Sequence, residues 1–247
     1  MQRKDTVWQA ASVSERFLDG VRGAIPLAAE QIDVVLRVVR AAQPALGNFL
    51  DLGCGDGILG RAVLSNFPGA RATFLDFSEP MLKRAREIAA REGHEGHFVL
   101  KDFGSSGWEE AVRGQAPFDA ILSGYAIHHL PDERKRELYG EIFKLLAPWG
   151  LFLNLEHVAS PTPWVEKIYD NLSVDRLYEF HVRAEPGKTR EQIANEYYYR
   201  PDKAANILAP VELQCQWLRE IGYVDVDCYM KIFELALFGG RRPLSRA

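Results

Sequence analysis

Residues 47–57 read Gly47-Asn48-Phe49-Leu50-Asp51-Leu52-Gly53-Cys54-Gly55-Asp56-Gly57. Phe49, Leu50 and Leu52 form a short apolar run, which predicts a buried strand with Asp51 at its end. Gly53, Gly55 and Gly57 follow at alternate positions, and an apolar helical pattern starts at Ile58. Strand, glycine loop and helix together make a nucleotide-binding turn, in which the main chain bends sharply and a ligand can lie against it. Gly55, Gly57 and Gly60 also fit the G-x-G-x-x-G spacing of a dinucleotide site. That register is wrong, however, because the turn already begins at Gly53.

Working outward, the carboxylates recur at strand ends. Arg71 to Phe77 reads as a second strand carrying Asp76, where an acidic residue can accept hydrogen bonds from ribose hydroxyls. Ser78 is the expected N-cap of the next helix, with Pro80 in its first turn. Lys83, Arg84, Arg86 and Arg91 on that helix read as a solvated face. His97 to Lys101 is a third strand, followed by Asp102 and Phe103. Phe118 to Ser123 is a fourth, leading into Gly124-Tyr125-Ala126-Ile127-His128-His129-Leu130-Pro131. A helix capped by Asp132 follows, then a turn at Pro148-Trp149-Gly150. Leu151 to Leu155 is the fifth strand, ending in Glu156 and His157.

The D-x-G-x-G-x-G signal and these later positions resemble the class I S-adenosylmethionine-dependent methyltransferases. The resemblance implies an α/β fold: a Rossmann-like seven-stranded sheet with a terminal antiparallel hairpin and a helical insertion or lid. It implies S-adenosyl-L-methionine as cofactor. Gly53 and Gly55 would pass under its methionine part, Asp51 would stand beside the turn, Asp76 would meet the ribose, and Phe77 beside it would also bind the cofactor. Asp102 and Phe103 would meet the adenine, and Ser123 would lie at the fourth strand's end. Arg22, in the glycine-punctuated stretch Phe17–Pro26, would face the cofactor's carboxylate or remain a surface arginine. The layout also resembles the branch containing the carboxy-S-adenosylmethionine synthases. There an arginine on the last core helix holds the extra carboxylate, and Trp217 occupies that place here, which favours plain methyl transfer.

The chain of 247 residues divides on this reading into an N-terminal helical cover (1–45), a cofactor-binding core (46–159), a helical insertion (160–210) and a last helix with hairpin (211–247), all one methyltransferase domain. Ile32, Val35, Leu36 and Val39 recur at helical spacing within a helical stretch read over 12–43, which Pro44 closes. The insertion carries Trp164, Tyr169, Tyr178, Phe180, Tyr197, Tyr198 and Tyr199, either as packing or as a lid over an apolar substrate. The final helix runs from Pro210 to Ile221, and strands are expected at Tyr223–Tyr229 and Ile232–Phe238.

His128, His129 and His157 fall at strand ends, and histidine suits proton abstraction near neutral pH. Each is a candidate base, with Glu156 as orienter or second base; main-chain capping is the alternative for each ring. A metal held by these His and Glu residues is a weaker option, and none is assigned. Cys54, Cys215 and Cys228 lack zinc-site spacing, and Cys54 reads as a small filler. A net charge of −4 argues against a broad nucleic-acid-binding face. No apolar run is long enough to span a bilayer, and no apolar core follows Met1–Asp5, so cytoplasm is the expectation. The partners expected are a small-molecule acceptor, no nucleic acid and no membrane, with a homodimer left open. The leading function is methyl transfer to a small, partly apolar acceptor. A carboxy-cofactor synthase and a non-catalytic cofactor-binding module are the alternatives.

Overall fold

Alternate side chains of the inner strand β1 (Asn48–Leu52) face opposite layers, as the two-residue repeat of a strand requires. Phe49 enters one core with Val35, Val39, Leu59, Val63 and Phe74. Leu50 and Leu52 enter the other with Ile121, Tyr139, Phe152, Leu218 and Phe238. A sheet apolar on both faces must be covered on both, which is why the strands read as nearly continuous hydrophobic runs. In the computed structural model, residues 5–10, 24–184, 187–200, 203 and 205–244 are described.

The elements in order are α1 (Ala28–Ala42), β1, α2 (Ile58–Asn66), β2 (Arg71–Asp76), α3 (Glu79–Arg91), β3 (His97–Leu100) and β4 (Phe118–Gly124). They continue with α4 (Asp132–Leu145), β5 (Leu146–His157), α5 (Pro163–Ala184), α6 (Arg190–Tyr199), α7 (Val211–Ile221), β6 (Val224–Ile232) and β7 (Leu235–Arg241). The sheet order is β3-β2-β1-β4-β5-β7-β6. β1 to β5 are parallel, whereas β7 is antiparallel to both β5 and β6. The expected seven-stranded sheet with its terminal hairpin is therefore present. Strand order reverses between β1 and β4, so their carboxyl ends open a crevice.

Three local expectations are corrected. Pro148-Trp149-Gly150 lies inside β5 and not before it. Phe118 pairs with Leu146 and Ala120 with Leu151, so the residues between bulge outward. Trp149 there has a φ of 62°, and its N–H donates to the Arg242 carbonyl at 2.7 Å. Ser78 does precede α3, but its hydroxyl makes no cap; it donates to the Trp8 carbonyl at 2.8 Å. Asp132 is the first residue of α4, and Pro131 holds the cap position. Of the helix expected over 12–43, Ala28–Ala42 forms α1; residues 24–27 turn into it, with Leu27 at φ 56°, and residues 11–23, Arg22 among them, lie outside the described residues. No helix among the described residues is long and apolar enough to cross a membrane.

Candidate active site

Gly53, Gly55 and Gly57 have φ angles of 69°, 56° and 79°, the left-handed region that glycine enters without penalty. The N–H groups of Gly53 and Cys54 both donate to the Leu75 carbonyl, at 2.8 and 3.0 Å, which folds the loop over the end of β2. A Cβ on Gly53 would stand 2.4 Å from the Ala126 Cβ. A Cβ on Gly55 would meet nothing within 4 Å, because this residue opens on a cavity of about 860 Å³. That volume lies within the roughly 300–1,000 Å³ usual for ligand pockets. Asp51 accepts the Gly60 N–H at 2.8 Å, and Gly60 packs so closely on Phe74 that a Cβ would sit 2.4 Å from its ring. The third glycine of the apparent dinucleotide spacing thus serves helix-to-strand packing.

Two further carboxylates reach the cavity. Asp76 accepts N–H bonds from Gly55 and Ser78, each at 2.8 Å. Burial pushes its carboxyl up to about 6, with the main-chain N–H bonds pulling the other way. Asp102 accepts from the Gly104 N–H at 2.8 Å and the Ser105 hydroxyl at 3.1 Å, an Asx-type turn that presents Phe103 beneath Gly53. Arg134 holds this turn from outside. Its guanidinium donates to the carbonyls of Phe103 and Gly104 at 2.9 and 3.2 Å, and to both oxygens of Glu141 at 2.9 and 2.6 Å. Nothing in the sequence singled Arg134 out, since an arginine on an amphipathic helix normally reads as solvated.

The third wall is histidine-rich. The turn Ile127–His129 brings the His128 and His129 rings to 3.9 Å between centroids. His128 Nδ1 lies 2.6 Å from Glu156 Oε1. The His157 main-chain N–H also donates to Oε1, at 2.8 Å, so this oxygen is an acceptor and the shared proton sits on Nδ1. Nε2, which has no partner among the described residues, then carries a lone pair at the cavity. Burial lowers the His128 pKa well below 6.5, with smaller electrostatic contributions from His157, Lys135 and Arg200, and burial raises that of Glu156. Glu156 is itself 1% exposed and stands behind His128, away from the cavity. A buried chain continues from it: Asn154 Nδ2 lies 3.4 Å from Glu156 and from the Tyr139 hydroxyl, which donates to Gln214 at 2.6 Å.

The insertion fastens onto this turn. The Ile207 N–H donates to the His128 carbonyl at 2.8 Å, and His129 Nδ1 lies 3.3 Å from the Ala205 carbonyl. Lys135, 1% exposed, donates to Asp132 at 2.7 Å and to the Ile207 carbonyl. Of the insertion's aromatics, Tyr169 and Tyr197 are buried against the cavity and Tyr199 also lines it, whereas Trp164 is 72% exposed.

Of the residues expected from sequence, Asp51, Gly53, Gly55, Asp76, Phe77, Asp102, Phe103, His128, His129 and His157 line this one cavity. Ser123 does not: it is fully buried and donates to the Leu52 carbonyl at 2.8 Å, tying β4 to β1. Trp217 is buried in the core beneath α7 and does not reach the cavity. Cys54 is buried and free, and burial raises its thiol pKa well above 9.0, so it packs and stays protonated. Among the described residues no group of three or more His, Cys, Asp or Glu is placed to hold a metal ion. Sequence reading missed Tyr125, held at φ 53° with its hydroxyl donating to Gln31 at 2.7 Å, and Glu234, which lies 2.8 Å from His157 Nε2. Both sit in turns whose conformation no motif announced.

Comparison with known proteins bears on the fold and on the family of the core. Residues 49–150 match the family model described as a methyltransferase domain. A demethylmenaquinone methyltransferase of Leptospira interrogans is 32% identical over 49% of this chain and 47% of its own length. A ubiquinone/menaquinone biosynthesis C-methyltransferase of Bartonella tribocorum is 29% identical over 76% of this chain and 69% of its own. The chain thus spans about half the length of the first of these relatives. Among solved structures, an O-methyltransferase family protein from Burkholderia thailandensis superposes with a TM-score of 0.67 at 18% identity, over 99% of this chain and 64% of that one. These structures share the fold.

Proposed function

We propose that this chain, which carries a class I S-adenosylmethionine-dependent methyltransferase domain, methylates a small, partly apolar acceptor, with His128 as the base. The observation that carries the reading is the His128–Glu156 pair, set in the same cavity as the glycine loop and the two strand-end carboxylates.

The residues fit the cofactor. Gly55 leaves open space where a side chain would block an amino-acid tail, and Asp76 keeps lone pairs for a ribose beside the two N–H groups that fix it. Phe77, Met81 and Phe103 give an apolar bed for a purine, with Asp102 at its edge. When bound, the cofactor supplies an electrophilic methyl group on a sulfonium whose sulfur leaves with the bonding pair as a neutral thioether. The chain's task is to align the acceptor and remove its proton. Alignment alone supplies much of the rate, because oriented reactants behave as if very concentrated. As the acceptor's heteroatom bonds to the methyl carbon, its proton passes to His128 Nε2, while Glu156 holds Nδ1–H and stabilises the imidazolium that forms. His129 lies against His128 and supports its ring. Leu155, Tyr169, Leu177 and Ile193 furnish the apolar side of the acceptor cavity.

Calorimetry with S-adenosylhomocysteine, followed by an acceptor screen that reads formation of S-adenosylhomocysteine from the cofactor, tests the proposal. Failure to bind the nucleoside at high micromolar protein refutes it. Binding without turnover of any acceptor favours the non-catalytic alternative.

A further inference from the structure

The pair formed by His157 and Glu234 has no part in the reaction as described, yet it repeats the design of His128 and Glu156. Glu234 comes from the Phe233-Glu234 turn between β6 and β7, where Phe233 is held at φ 52°. It is 5% exposed. One of its oxygens lies 2.8 Å from His157 Nε2, and the other accepts the Ser160 hydroxyl at 2.6 Å. Its carbonyl accepts the Val158 N–H at 2.7 Å. A carboxylate buried to this depth is costly unless its partners are fixed. Here the fixed partner is a ring that lines the acceptor cavity, 5.6 Å between centroids from the His128 ring and 5.6 Å from Tyr169.

The tautomers give the pair its meaning. Glu234 accepts, so His157 carries its proton on Nε2, and in the neutral ring Nδ1 is a lone pair. Nδ1 takes no partner among the described residues, and neither does Nε2 of His128. In their neutral forms the two neighbouring imidazoles offer two hydrogen-bond acceptors to the cavity, each oriented by its own buried carboxylate. A single hydroxyl would satisfy one of them and leave the other dry and unpaired, at a cost.

We propose that the acceptor carries two adjacent hydrogen-bond donors, one methylated at His128 and the other anchored by His157, with Glu234 as the residue that positions His157. The chemical class is a vicinal dihydroxy or amino-hydroxy compound on an apolar frame. This deepens the function proposed above and rests on it.

The test uses the full chain saturated with S-adenosylhomocysteine and three probes: 1,2-dihydroxybenzene, 1,3-dihydroxybenzene and 2-methoxyphenol. Calorimetry is expected to rank the 1,2-isomer about tenfold tighter than either of the others, the order of one well-oriented hydrogen bond. His157→Phe is expected to bring the 1,2-isomer within about twofold of 2-methoxyphenol, with nucleoside affinity unchanged, and Glu234→Gln to give an intermediate ratio. Equal binding of the three probes, no binding of any, or an unaltered ranking in a folded His157→Phe protein overturns the proposal. If His157→Phe does not fold, the ranking on the unaltered chain decides alone. Loss of nucleoside binding by the unaltered protein would instead refute the methyltransferase reading, so the two failures are distinct.

Discussion

The carboxylate of Asp76, at the end of β2, accepts the N–H of Gly55, the residue of the glycine loop that opens on the cavity, at 2.8 Å. One side chain thus fixes the loop and borders the ligand site. Burial raises its carboxyl from 3.8 to about 6, so the folded protein takes up a proton there more readily than the unfolded chain does. Its contribution to stability is full below pH 3.8 and is lost as pH rises through about 6. Ribose hydroxyls prefer the ionised form. S-adenosylhomocysteine affinity should therefore rise between pH 5 and pH 7, with proton release seen by calorimetry in buffers of different ionisation enthalpy. Asp76→Asn should flatten that dependence, and Asp76→Ala should weaken binding by about 1–3 kcal/mol.

Replacing His128 separates binding from chemistry. His128→Gln should leave nucleoside affinity within about twofold and lower kcat by roughly 10²–10⁴, the usual worth of a positioned base. Because burial and neighbouring charges hold the ring's pKa below 6.5, the acid limb of the kcat profile should lie below pH 6.5. A limb above that value would assign the proton transfer to another group.

Gly60→Ala tests the packing of α2 on the sheet. Its Cβ would stand 2.4 Å from the Phe74 ring and 2.8 Å from the Asp51 carboxylate. Overpacking of this kind costs about 1–3 kcal/mol, so thermal unfolding should move down by several degrees. An unchanged midpoint would mean that Phe74 can move aside.

Lys135→Met removes the ammonium that holds the Ile207 carbonyl. An abandoned, partly buried carbonyl costs about 1 kcal/mol, since water can reach it in part. Limited proteolysis should cut between residues 200 and 210 sooner than in the parent chain, and kcat should fall while nucleoside affinity stays. Lys135→Arg is not expected to restore the bond, since the larger fork does not fit a site that is 1% exposed.

That the proposed cofactor residues would meet in one cavity was legible because they lie at strand ends, where local chain direction and topology together decide position. Gly53, Gly55, Asp76 and Asp102 follow apolar runs whose period and length already announce parallel strands. The acceptor half was only partly legible. His128, His129 and His157 could be placed in one cleft from strand order, but Glu234 approaches from the hairpin, 77 residues along the chain from His157. That meeting depends on β7 inserting between β5 and β6, and no local pattern encodes it. Ser123 misled for a related reason. Its place at a strand's end suggested exposure to the ligand, yet its side chain turns sideways to bond β1.

On the function proposed above, the hydrogen bond from Ile207 to the carbonyl of His128 joins what chooses the acceptor to what activates it. A larger guest that wedges the helical arm outward will drag on the peptide carrying the imidazole. Recognition and turnover are thereby mechanically linked. A chimaera that borrows a relative's arm will need the stretch from 203 to 209 as well, or it will inherit a new appetite together with a misaligned base.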